Sequence, residues 1–396
     1  MKIAFLTSLD PHDRRAWSGT LYFMGQALQQ YCGEVTFIGP LSAPLEMIQG
    51  KIIHRIIKFF TGKSYLYFHG KFVARRYAKI AARRLAAQQF DVLIAPTGAP
   101  EIAYLQTKLP IVLIEDATYT NLHNYYPIFS NLAPISSSEL DTIEQRATAK
   151  ATVLAYSSQW AAASALQDYH ADPAKVHVIP FGANLEKIPD REQALARKLH
   201  QRCRLLFIGV DWPRKGGDIA LETLQALEDM GIPTELTICG CIPPTSVSHL
   251  PVTVIPFLDK NDPQQSKQLD ELYIAHDFLI VPTRYECYGL VYAEASAFGL
   301  PSLASNTGGI AGVVTHAENG FLLPLEARGE AYARIIAELY RNEEQYASLV
   351  RSTRSTFEQR LNWEAWTISL KEALAERVNG YNKISPEHQT SNNVSL

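Results

Sequence analysis

The chain of 396 residues has no run of about 18 consecutive apolar residues, so no transmembrane helix is expected. It has no cysteine pattern of the metal-binding kind. Of five cysteines only Cys239 and Cys241 lie close together, one residue apart, which is too tight for the usual zinc spacing and lacks a second His or Cys pair. Buried thiols in a reducing compartment are the expectation. Excess charge is also missing. A net charge of −3 excludes a globally basic nucleic-acid binder, though not a local basic patch. The opening MKIAFLTS reads as a strand rather than a charged-then-apolar leader, so no signal peptide is expected. There are no internal repeats and no low-complexity block. What is present, 47% hydrophobic and 19% charged residues, is the make-up of a soluble globular protein, long enough for two domains of about 150–200 residues.

Short apolar runs alternate with helix-compatible segments. KIAFLTSL, EVTFIGP, DVLIAPTG, PIVLIEDA, ATVLAYSS and KVHVIPFG form a first series of strands. CRLLFIGVDW, ELTICG, VTVIPFL, DFLIVP and PSLASN form a second. Strands alternating with helices predict α/β architecture with parallel sheets, here two doubly wound units. The boundaries read as 1–185 for the first domain and 186–359 for the second, with a charged linker at 183–202. A helix at about 360–380 follows. The polar tail 384–396 is expected to be disordered.

The most informative run is VPTRYECYGLVYAEASAFGLPSLASNTGG, residues 281–309. It reads as strand, polar turn, helix, Gly-Leu-Pro, strand and Gly-Gly turn. Glu286 and Glu294 lie two helical turns apart on this reading, so both can border one pocket. A helix start presents free backbone N–H groups to an anion. Carboxylates repel phosphate, so they suit sugar hydroxyls better. Two glutamates at this spacing also occur on solvated faces. Ala293, Ala295, Ser296, Ala297 and Gly299 around Glu294, with Tyr285, Cys287 and Tyr288 around Glu286, point instead to a packed helix mouth.

This segment resembles the C-terminal signature of family 4 (group 1) retaining glycosyltransferases of the GT-B fold. The resemblance extends over nearly the whole chain. GVDWPRKGG (209–217) is similar to the family's phosphate turn, with Lys215-Gly216 matching and Val210 departing from the usual arginine. Ser18-Gly19-Thr20 resembles the glycine turn near the donor, although it is also simply a good helix cap. AYSSQWAAASALQDYHADPAKVHVIPFGANLE and THAENGFLLP are similar to the family's end of the first domain and its turn after Gly-Gly. The resemblance implies two Rossmann-like domains facing a cleft, with the last helix crossing back to the first.

It also implies a function: transfer of a sugar from a nucleotide-diphosphate sugar to a hydroxyl acceptor with retention, in glycan, lipopolysaccharide or glycolipid synthesis. Lys215 and Arg214 would hold the diphosphate, Arg214 standing in for the guanidinium missing at Val210. Glu286 would bind donor-sugar hydroxyls and Glu294 the ribose. The helix start at Tyr288, Gly289 and Leu290 would help neutralise the leaving group, and Gly19 would approach the donor. Asp116 stands where many members have His. It could bind a sugar hydroxyl, orient the acceptor or only cap the next turn. The chain has no Asp-x-Asp, the pair that glycosyltransferases of the other main fold use to seat a metal, so no metal and no cofactor beyond the nucleotide sugar are expected. A sugar-nucleotide epimerase, a phosphorylase or a catalytically silent binding scaffold stays open.

Residues 51–84 hold ten Lys/Arg and no Asp or Glu. Phe59, Phe60, Phe68, Phe72 and Tyr77 interleave with cations such as Arg75, Arg76, Lys79, Arg83 and Arg84. A stretch of this kind suits an anionic membrane surface, an anionic acceptor or a solvated face. Nucleic acid is not expected as a partner, since no recognition motif accompanies the charge. The expected location is cytoplasmic, with this stretch offering a peripheral contact to the inner face of the membrane.

Overall fold

The computed structural model describes residues 1–377. Its first sheet contains β1 (Lys2–Leu6), β2 (Glu34–Ile38), β3 (Val92–Pro96), β4 (Ile111–Glu115), β5 (Val153–Tyr156) and β6 (Val176–Val178). They lie in the order β2-β1-β3-β4-β5-β6, all pairs parallel. The second sheet contains β7 (Cys203–Ile208), β8 (Thr234–Cys239), β9 (Val252–Ile255), β10 (Phe278–Val281), β11 (Ser302–Ser305) and β12 (Gly320–Leu323). Its order is β12-β11-β10-β7-β8-β9, again parallel throughout. β3, β4 and β10 are buried along their whole lengths, because a parallel sheet is covered on both faces and its strands read as continuous apolar runs.

Each sheet has a point where the strand order reverses, between β1 and β3 in the first and between β7 and β10 in the second. Ligand sites of open α/β sheets form at such points, beyond the carboxyl ends of the strands. The loops leaving β1, β4, β7 and β10 here line one shared cavity. The helix Trp363–Arg377 packs against α1 (Thr20–Tyr31) and β5, so the chain's last described helix returns to the first sheet. The tail expected to be disordered lies outside the described residues, as do positions 378–380 of the returning helix.

Several local expectations are corrected. The helix after β10 is Leu290–Ala297, at the start read from the sequence, but Glu286 sits in the preceding loop, outside the helix whose spacing was used to relate it to Glu294. The two glutamates therefore share a pocket through a loop-helix corner and not through helical phase. β4 stops at Glu115, leaving Asp116 as the first residue past the strand. GFLL, read as part of a turn, is the edge strand β12; four residues after Asn319-Gly320 carry a stronger turn signal than strand signal. Tyr77 is buried in the core beneath α3 (Lys71–Leu85), and Phe68 packs on a small cluster of Leu66, Tyr119, Leu132 and Leu140. Neither is free to enter an interface.

Candidate active site

The cationic end of the cavity is built by the loop after β7. The Asp211 carboxylate accepts from the Arg214 backbone N–H at 3.1 Å, capping the short turn Trp212–Lys215. That turn delivers Arg214 and Lys215 to the cleft. Lys215 is only 8% exposed, and a lysine so enclosed requires a partner. It donates from Nζ to Glu286 Oε2, and Arg214 Nη1 donates to the same oxygen at 3.1 Å. Burial works to raise the Glu286 carboxyl, but the charges of Lys215 and Arg214 outweigh it and hold the group below the ordinary range. Glu286 is thus a standing anion between two cations.

The helix mouth follows. Gly289 precedes Leu290 with φ +92, a left-handed conformation that a side chain disfavours, and a Cβ there would meet the Tyr292 ring at 2.6 Å. Gly289, Leu290 and Val291 line the cavity. Tyr288 lines it too, but its hydroxyl donates to the Phe181 carbonyl at 2.8 Å and joins the two halves of the molecule. Deeper in, Glu294 is 1% exposed. Its Oε1 accepts from Lys260 Nζ at 2.6 Å and its Oε2 from the Tyr273 hydroxyl at 2.7 Å.

The opposite wall comes from the first sheet. Trp17 and Ser18, in the loop after β1, have φ of +48 and +56, and Gly19 follows at +88 before α1 begins. Non-glycine residues held in that region are strained and need surrounding contacts to keep them there. One such contact is visible: Trp17 Nε1 donates to Asp116 Oδ2 at 3.1 Å. Desolvation in the cleft pushes the Asp116 carboxyl up to about 6. The Trp17 hydrogen bond opposes that rise and the Glu286 charge adds to it. Of the residues singled out in the sequence, Glu286, Lys215, Arg214, Asp116, Glu294, Tyr288, Gly289 and Leu290 all line the cavity. Gly19 does not; it shapes the loop from behind, where a Cβ would meet the Arg14 carbonyl oxygen at 2.9 Å.

Residues 192–356, which include the entire second wall of this cleft, match the family model described as glycosyl transferases group 1. Among curated proteins the chain is similar to the D-inositol 3-phosphate glycosyltransferase of Salinispora arenicola (strain CNS-205), 29% identical over 271 residues, covering 62% of this chain and 60% of that protein. It is similar to the protein of the same description from Corynebacterium glutamicum (strain R), 29% identical over 221 residues, covering 51% and 52%. The chain therefore matches between about half and 60% of the length of these relatives. Among solved structures, a sucrose-phosphate synthase from Thermosynechococcus elongatus aligns with a TM-score of 0.61 at 17% identity, over 95% of this chain and 98% of that one. WaaG, a glycosyltransferase involved in lipopolysaccharide biosynthesis, aligns at 0.57 and 18% identity, over 96% and 100%. Anabaena Alr3699/HepE in complex with UDP and glucose aligns at 0.58 and 16% identity, over 95% and 99%.

The fold is GT-B.

The GT-B cleft measures about 330 Å³ and is latched on two sides. On one, the Arg14 backbone N–H donates to Asn261 Oδ1 at 3.1 Å, Arg14 Nη1 to the Lys260 carbonyl at 3.2 Å, and Asn261 Nδ2 to Asp13 Oδ1 at 3.0 Å. On the other, the Tyr125 hydroxyl accepts from the Glu286 backbone N–H at 3.1 Å and bonds Thr307 Oγ1 at 2.9 Å. The Gly-Gly turn makes room for this latch, since a Cβ on Gly308 would lie 2.0 Å from the Glu286 carbonyl oxygen. A larger cavity of about 720 Å³ between α1 and the helix Trp363–Arg377 has no Lys or Arg in its lining, so it offers no seat for a diphosphate. Trp17, Lys260 and Tyr125 escaped the sequence reading. Trp17 stands next to the flagged Ser18, but no spacing tied it to a residue 99 positions away. Lys260 lies in an acid-rich loop without a motif.

Proposed function

We propose that the protein is a group 1 glycosyltransferase that moves a sugar from a nucleotide-diphosphate sugar to a hydroxyl acceptor, with retention at the anomeric carbon. The carrying observation is that Arg214 and Lys215 converge on a single oxygen of Glu286 at the mouth of the helix Leu290–Ala297. A diphosphate brings more negative charge than one carboxylate, so it displaces Glu286 from these cations. The backbone N–H groups at the helix start then face the same anion. Glu286, released from the pair, accepts hydrogen bonds from donor-sugar hydroxyls. Arg214 and Lys215 stabilise the charge that grows on the departing diphosphate. Glu294, with Lys260 beside it, receives the ribose, and Asp116 faces the transferred sugar from the other wall.

On this reading residues 186–359 form the donor side and residues 1–185, with the returning helix, the acceptor side. A glycan, a lipid-linked saccharide or a small polyol serves as acceptor. The inositol-phosphate name of the curated relatives and the UDP and glucose bound to Alr3699/HepE support a phosphorylated or polyol acceptor and a uridine donor as first choices. The two cations take the place of a divalent metal. Five free thiols, four of them buried, support work in the cytoplasm.

The test has two stages. Thermal shifts with UDP, GDP and ADP should single out one nucleotide, because a ligand bound only by the native state raises stability by RT ln(1 + [L]/Kd). The matching sugar nucleotide is then offered with acceptors, and NMR reads the anomeric configuration of the product. Inversion would overturn retention. Free sugar released without acceptor would make the protein an epimerase, dependence on inorganic phosphate a phosphorylase, and binding without turnover a scaffold.

A further inference from the structure

Helix α2 (Pro44–Thr61) wears its apolar side outward. Leu45, Ile48, Ile52, Ile56 and Phe59 recur at spacings of three and four, which places them on one face. With Phe60 they are each 53–83% exposed. The helix is not loosely attached. Gly50 on its inner side lies so close to Tyr67 that a Cβ would come within 2.3 Å of that residue. The Tyr65 backbone N–H donates to His54 Nδ1 at 3.2 Å, and Met47 packs on the core of the first sheet. These contacts hold the apolar stripe toward solvent, the reverse of an ordinary surface helix.

Lys51, Arg55 and Lys58 are exposed along one flank of this stripe, and Lys63 follows it. The neighbouring helix α3 adds exposed Arg75, Arg76, Lys79, Arg83 and Arg84, with Glu46 of α2 at 3.9 Å from Arg76. Phe72 is exposed at the start of α3. A second copy of the chain fits this surface poorly, because a twofold contact would set the same nine cations against each other. The aliphatic character of Leu45, Ile48, Ile52 and Ile56 suits hydrocarbon better than the bases of a nucleic acid, which stack on aromatic rings.

We propose that α2 lies in the plane of an anionic lipid surface. Its Leu, Ile and Phe side chains sit at the boundary between headgroups and acyl chains, and its flanking lysines and arginines sit on lipid phosphates. The full chain, without added nucleotide, is sedimented with vesicles of phosphatidylcholine and phosphatidylglycerol in equal parts, and with phosphatidylcholine alone. Binding to the first and not the second is expected, and salt should weaken it, since screening acts over about 8 Å at physiological ionic strength. A variant carrying Ile52→Ser, Phe59→Ser and Phe60→Ser should lose at least tenfold in partitioning while keeping its Tm and its nucleotide affinity. Phe60→Trp should shift its emission to the blue on adding anionic vesicles. No sedimentation at low salt would overturn the proposal. So would wild-type binding by the serine variant, which would move attachment to α3. A dimer that the serine substitutions dissolve would overturn it too, by assigning the face to a second copy.

Discussion

The two halves of the molecule store their enclosed glutamates in opposite ways. Behind the first sheet's carboxyl ends, Glu101, Glu115 and Glu144 are nearly inaccessible, and each has one side-chain oxygen without a partner among the described residues. Burial drives Glu101 up to about 7, against the hydrogen bond from the Ser8 amide. Burial likewise raises Glu115 and Glu144, and the Glu144 charge pushes Glu115 further. In the second half, Glu286 has Lys215 and Arg214, and Glu294 has Lys260. An enclosed acid without a cation stores a proton and makes the fold sensitive to pH. An enclosed acid with cations holds those cations ready, and a stronger anion can take them over. On the proposed function the first arrangement belongs to the scaffold and the second to the chemistry.

The most severe way to break this contrast is Lys215→Ala. It should lower kcat/KM by roughly a hundredfold or more, the scale of one lost preorganised charge contact. Glu101→Gln should leave steady-state kinetics at pH 6 near wild type. Near-normal turnover in a folded Lys215→Ala protein would remove the cation from the site.

The two acids of the second half should then separate. Glu286→Gln should slow turnover at least tenfold with little change in nucleotide affinity, whereas Glu294→Gln should weaken binding of the nucleoside diphosphate, read by calorimetry. Equal losses of affinity would merge their roles.

A smaller effect tests the first half. A carboxyl whose folded value lies above its ordinary 4.5 contributes stability that is fully present below that value and is lost as pH rises through about 7. For Glu101 the difference amounts to roughly 3 kcal/mol across that window. Calorimetric scans should show wild-type Tm falling between about pH 5 and 8, and a flatter profile for Glu101→Gln. Identical profiles would mean that Glu101 is ionised and solvated. The least change is expected from excess EDTA. Turnover should persist if, as proposed, Arg214 and Lys215 carry the charge, and loss restored by magnesium or manganese would contradict that role.

Much of the fold was legible because burial on both faces of a parallel sheet writes unbroken apolar runs such as VLIAP, IVLIE and FLIV. GFLL was not, being a four-residue edge strand behind a turn signal. At the site, Glu286 and Glu294 were legible from the small and aromatic residues around them, and Arg214 and Lys215 from their strand-to-helix turn. The reason the glutamates share a pocket was misread, since helical spacing was counted from Glu286, which lies in the loop before the helix. Trp17 beside Asp116 and Lys260 beside Glu294 join residues 99 and 34 positions apart. No local pattern marks such a pair.

Helix α2 draws the line most clearly. The sequence alone marked residues 51–84 as basic, acid-free and interleaved with aromatics, because composition is a local property. Which way the apolar face of α2 turns is not local. A stripe at spacings of three and four looks the same buried or exposed. Gly50 against Tyr67 and His54 against Tyr65, contacts between segments that meet only in the folded chain, decided that it faces out.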